Sequence, residues 1–141
     1  MTANTSPIFI GTVKTAAVQF ANADGTTLKT LLTVDATNGG LVLGVEASTD
    51  DTTANDVGLY LQIGGSGTNY PLGAKRVAAR SGDPTQASPT PAVAVLDAGQ
   101  FPFVLPDGTL PLGPGDVLKA GVQATVTSGK TLSLVAIYGN Y

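Results

Sequence analysis

The feature that most constrains this chain is a two-residue alternation of apolar and polar side chains. It runs for six to ten residues at a time and then breaks at a Gly, Asn or Asp turn. In Val57-Gly-Leu-Tyr-Leu-Gln-Ile63 the positions Val57, Leu59, Leu61 and Ile63 share one face. Leu41, Leu43, Val45 and Ala47 repeat the scheme against Glu46 and Ser48, and Leu118, Ala120, Val122, Ala124 and Val126 do so against Lys119 and Gln123. A period of two belongs to a half-buried strand and is incompatible with a helix face.

The turns agree with this reading. Asn22-Ala-Asp-Gly, Asn38-Gly-Gly, Gly64-Gly-Ser-Gly, Asp107-Gly and Ser128-Gly fall between the runs, where left-handed backbone is wanted. Strands are therefore predicted at 11–20, 27–35, 41–48, 57–63, 70–79, 92–97, 117–126 and 131–138. Eight short strands with one apolar face each must close on one another. The expected fold is all-β: a single-domain antiparallel eight-stranded β-sandwich over residues 11–141, with residues 1–10 as an arm or first-strand lead-in. Two segments interrupt the pattern. Residues 81–91 read as a polar, proline-bearing loop, and residues 98–116 carry four prolines among Phe101, Phe103, Leu105, Leu110 and Leu112. That spacing forbids a central strand and suggests a crossover that packs.

Chemistry is scarce. The chain has no His, Cys or Trp, so the usual bases and nucleophiles near neutral pH are missing and a hydrolase is disfavoured. Seven scattered bases against ten acids give a net charge of −3, with no basic stripe for nucleic acid. No apolar run is long enough to span a membrane, and residues 1–6 lack the features of a secretion signal, so no signal-directed export is expected. Asn4-Thr-Ser6 matches a glycosylation sequon by chance. Gly129-Lys130-Thr131 lacks the upstream Gly and the following helix of a phosphate loop, and Gly64-Gly-Ser-Gly67 lacks the spacing of a nucleophile elbow; both read as turns.

Asp50, Asp51 and Asp56 are candidate calcium ligands, because clustered loop carboxylates suit that ion. The run has no Gly at its sixth position and no terminal Glu, so a solvated loop is expected and no cofactor is assigned. Tyr60, Tyr138 and Tyr141 are candidates for a sugar- or protein-binding patch. Ile8, Phe9 and Ile10 follow Pro7 and are candidate partner-contact anchors on a terminal arm, with the alternative that they open the first strand.

The order of elements resembles that of tailed-phage head decoration (cement) proteins with a jelly-roll-like sandwich. The residues that carry the resemblance are Thr5-Ser-Pro-Ile-Phe-Ile10, the hairpin from Asn22 to Val34, Gly40–Ala47, Val57–Gly64 and the lead-in Leu112-Gly-Pro-Gly-Asp-Val-Leu-Lys-Ala120. The resemblance implies a non-enzymatic virion structural protein on the outside of a capsid, with the major capsid protein as partner. A glycan-binding module of a tail or fibre is the alternative. Several strands also carry apolar residues on both faces: Leu31 against Leu28, Leu32 and Val34; Val42 against Leu41 and Leu43; Val135 and Ile137 against Leu132 and Leu134. Such strands ask for a subunit interface, and the resemblance implies a homotrimer.

Overall fold

The computed structural model describes residues 10–141. Nine strands occur among them: β1 (Thr12–Ala21), β2 (Lys29–Thr33), β3 (Gly40–Thr49), β4 (Asn55–Gln62), β5 (Tyr70–Val77), β6 (Val93–Ala94), β7 (Leu110–Leu112), β8 (Val117–Val122) and β9 (Thr131–Asn140). Single 3-10 turns follow β1 and β4. One sheet runs β1-β9-β3, with β6 and β7 both on the outer edge of β3; the other runs β2-β8-β4-β5. All pairs within the sheets are antiparallel.

The pairing is that of one long hairpin rolled up. The first strand meets the last, β2 meets β8, β3 meets the split strand formed by β6 and β7, and β4 meets β5. Rolling then adds the β3–β9 and β4–β8 ladders. This is a jelly roll, a sandwich that closes two Greek keys on one core. The core lies between the sheets and includes Phe20, Val42, Val57, Leu59, Leu118, Leu132 and Leu134, all essentially inaccessible.

Two departures from simple alternation have a common cause in β-bulges, which insert a residue and shift the phase of one strand. A bulge between Thr30 and Leu32 lets β2 bury both Leu31 and Leu32. A bulge between Val42 and Gly44 turns Val42 inward and Leu43 out to solvent, so Leu41 and Leu43 do not share the core face with Val45 and Ala47. Leu31 and Val42 are therefore core residues and ask for no partner. In β4 the alternation ends early: Ile63 stands in the 3-10 turn and is 57% exposed. β8 stops at Val122, where Asn55 binds both the N–H and the carbonyl of Ala124 and leaves Ala124 outside the sheet.

The proline-rich crossover supplies both core and edge. Its Leu110-Pro111-Leu112 forms β7, a ninth strand beyond the eight expected, with Pro111 opposite Leu41 on an edge strand, where proline is tolerated because one side of the backbone is unpaired. Phe101 is buried against Gly73, whose positive φ of 154° and lack of a side chain admit the ring. Phe101→Ala should cost about 3–5 kcal/mol of unfolding free energy. Urea denaturation followed by far-ultraviolet dichroism checks this, and a loss comparable to an exposed substitution would mean that the crossover is not part of the core.

Candidate functional site

The acids are engaged separately and mostly in shaping loops. Asp51 is buried and accepts hydrogen bonds from the Thr53 N–H (2.9 Å) and from the Thr127 N–H and hydroxyl (2.8 Å each). Asp50 accepts the Thr131 N–H at 2.8 Å, and Asp56 pairs with Arg76 at 3.2 Å. The three candidate calcium ligands thus have different partners, and no group of three metal-ligating side chains occurs among the described residues. Asp116 binds the N–H groups of Gly64 and Gly113, tying the β4–β5 turn to the lead-in of β8.

Donors hold several of these carboxyls below their ordinary range. In Asp83 the Thr85 hydroxyl acts first, then the Thr85 N–H and the Arg80 guanidinium, and the carboxyl is pulled down to about 2. Lys75 does the same for Asp97, and Lys29 for Asp24. Burial works to raise Asp51, but the Thr127 and Thr53 donors outweigh it. Arg80 itself has φ +57°, the one non-glycine residue at positive φ among those described. Its grip on Asp83 through both Nε and an amino nitrogen holds that turn.

The tyrosines do not form a patch. Tyr138 is buried in β9, whereas Tyr60 lies in β4 of the opposite sheet, and Tyr141 ends beside Gly39. Gly129 and Lys130 lie in a turn that leads directly into β9 at Thr131. No helix among the described residues is long and apolar enough to cross a membrane.

What remains is the outer face of the five-stranded sheet. Residues facing inward on β9 are Leu132, Leu134, Ala136 and Tyr138, all buried, so Val135, Ile137 and Gly139 face out. Val135 and Ile137 are 46% and 47% exposed; beside them lie Leu43 at 39% and Val13 at 64%. The register places Ala17, Val135, Glu46 and Ala94 in one row and Thr15, Ile137 and Gly44 in the next. Glu46 is the single ionisable residue at the outward positions of β1, β9 and β3. A groove of about 480 Å³ runs along this face between Pro91, Ala92 and Ala94 on one side and Val135 and Ile137 on the other. A contiguous, largely apolar surface of this kind marks interaction sites.

Of the three candidate anchors, Ile8 and Phe9 lie outside the described residues. Ile10 is half-buried on this same face, where a side chain on Gly139 would collide with it. The two-sided reading of β9 from sequence pointed at Val135 and Ile137. Nothing in sequence pointed at Leu43, because alternation assigned it to the core. Exposed Phe103 lines a second, smaller pocket beside Leu72 and Pro111.

No protein-family model matches the chain, and no curated protein matches it in sequence. Solved structures resemble it to differing degrees. A chain of the acid-stable capsid of the Helicobacter pylori bacteriophage KHP30 superposes with a TM-score of 0.57 at 10% identity, over 93% of this chain and 90% of that one. A chain of the cyanophage Pam1 capsid asymmetric unit gives a TM-score of 0.46 at 19% identity, over 100% and 94%. A chain of the virus-like particle of extra small virus from the giant freshwater prawn Macrobrachium rosenbergii gives 0.33 at 14%, over 99% and 87%. The likeness to the KHP30 chain is one of fold: both are jelly-roll-sized sandwiches matched almost end to end.

The depressed carboxyls fix the acid limb of stability. A carboxyl whose folded value lies below its unfolded value of about 4 adds stability that is present above pH 4 and lost as pH falls towards the folded value. With no His in the chain, the urea midpoint should be nearly flat between pH 5 and 8. It should fall progressively from about pH 4 down to about pH 2, the value reached by Asp83. Asp83→Asn should lower the midpoint at pH 7 and make the acid limb shallower; an unchanged limb would mean that the Asp83 contacts add nothing.

Proposed function

We propose that this chain is a non-enzymatic virion structural protein that decorates and reinforces the outer surface of a phage capsid, with the major capsid protein as its partner. The observation that carries the reading is the end-to-end likeness in fold to a chain of the KHP30 capsid. The chemistry of the surface is consistent with it. A broad, nearly uncharged sheet face suits lasting burial against another protein, and a chain without His or Cys has little with which to run a reaction at neutral pH.

In this reading the capsid contact is the outer face of the five-stranded sheet, together with the candidate anchors Ile8, Phe9 and Ile10. Self-association is part of the proposal. Val135 and Ile137 remain outward after the bulges have returned Leu31 and Val42 to the core, and closing three copies about an axis would remove apolar surface from water without an open-ended chain. The protein would be made in the host cytoplasm and act on the capsid exterior.

Capsids assembled without their decoration layer provide the test. Purified protein should pellet with such capsids, and Val135→Asp with Ile137→Asp should weaken that binding at least about tenfold while leaving the dichroism spectrum unchanged. Protein that stays in the supernatant yet binds on a glycan array would overturn the capsid reading in favour of a host-recognition module. Sedimentation equilibrium tests assembly: three times the 14.1 kDa chain mass is expected, and a mass of one or two chains would refute the trimer.

A further inference from the structure

The outer face of the five-stranded sheet carries one charge, and the fold makes no use of it. We infer that Glu46 is the recognition point of the groove on that face. The groove takes a segment of the major capsid protein that sets one cationic side chain, Lys or Arg, on the Glu46 carboxylate between apolar neighbours. This rests on the capsid reading above and specifies what the partner must carry.

The distribution of charge singles this residue out. The acids of the chain are nine aspartates and Glu46. Every aspartate accepts a hydrogen bond from a backbone N–H or a side chain. Five of the seven bases pair with aspartates: Lys29 with Asp24, Lys75 with Asp97, Arg76 with Asp56, Arg80 with Asp83 and Lys130 with Asp50. Glu46 is exposed and has neither an ion-pair nor a hydrogen-bond partner among the described residues.

Its place on the sheet decides what can cover it. Glu46 stands in β3 opposite Val135 of β9 on one side and Ala94 of β6 on the other. Neighbouring strands are about 4.8 Å apart, so a surface that covers Val135 and Ala94 also covers the carboxylate between them. Glu46 is the one polar side chain among the residues that line the groove. A carboxylate buried there without a counter-charge would oppose binding strongly, so a lasting partner brings a cation. A Lys or Arg side chain suits the place: its aliphatic stem lies along apolar walls while its head meets the carboxylate.

The same face of a second copy does not supply that cation, because its outward positions hold no base. The two bases outside the ion pairs lie elsewhere. Lys14 is opposite Tyr138, on the inward side of β1, and Lys119 belongs to β8 of the other sheet. The cation therefore comes from a different protein.

Capsids lacking their decoration layer are the probe, and Glu46→Gln is the variant. The amide keeps the size of the side chain and loses no contact within the described molecule, so the dichroism spectrum and urea midpoint should not change. Its affinity for capsids at low salt should be at least about tenfold below that of the parent. Raising sodium chloride from about 0.05 to about 0.5 M should weaken the parent more than the variant, so that the two converge. Glu46→Lys should bind more weakly than either. Equal affinity or equal salt dependence of parent and Glu46→Gln would overturn the inference and leave the capsid reading standing, whereas a parent that does not pellet with capsids would overturn both. A Glu46→Gln protein with a reduced sedimentation mass and unchanged capsid affinity would also overturn the inference, by assigning the carboxylate to a contact between copies.

Discussion

The structure depends on a ten-residue antiparallel ladder between β1 and β9, unbroken from Thr12–Asn140 to Ala21–Thr131. Every other pairing is nested inside it. With β9 in place, β3 gains its second neighbour and the five-stranded sheet acquires a centre; without it, β1 has no strand to pair with. Because the ladder joins the two ends of the described chain, its entropic cost is that of closing nearly the whole sequence, which places this fold among the slow, non-local topologies. On a ribosome, the roughly 110 residues between Ala21 and Thr131 take about 5 to 20 s to add, and β1 waits unpaired for that time.

The acidic residues complete the loops that this winding requires. Asp35 accepts the N–H groups of Thr37 and Asn38, Asp107 the N–H and the hydroxyl of Thr109, and Asp97 the N–H of Gly99. Each replaces a ladder partner that a turning backbone has lost. Negative charge is therefore concentrated at the sandwich ends, where chains cross between sheets, and the broad outer face keeps a single Glu. The division of labour explains how a chain with so few charges can satisfy its loops and still present an uncharged surface.

The strands were legible because burial on one face imposes a period of two, and the turns because left-handed backbone selects Gly and Asn. Bulges were not legible. Leu31-Leu32 and Val42-Leu43 look alike as adjacent apolar pairs, yet one pair is wholly buried and the other is divided between core and solvent. The difference lies in what stands across the ladder, which a single sequence does not contain. The same holds for β7: Leu110-Pro111-Leu112 is a poor strand by composition and is tolerated because only one of its sides is paired. Of the interaction surface, Val135 and Ile137 could be found as apolar residues out of phase with Leu132 and Leu134. The seat of Ile10 on Gly139 could not, since those residues meet only through the closing ladder.

The splitting of one edge strand into β6 and β7 bears on how the molecule could polymerise. The rim of β3 is covered by two short pieces, bridged by the bond from the Val95 N–H to the Val45 carbonyl, so it offers no straight run to an incoming strand. In the second sheet, β2 is short and bulged and β5 carries Pro71 and Gly73. Among the described residues that leaves β1 as the one long unbroken rim, already hindered where Lys29 holds the Gln19 carbonyl. A fibre built by strand addition needs two open rims on every molecule, one to receive and one to offer. With a single such rim among the described residues, strand addition between folded molecules ends at a pair.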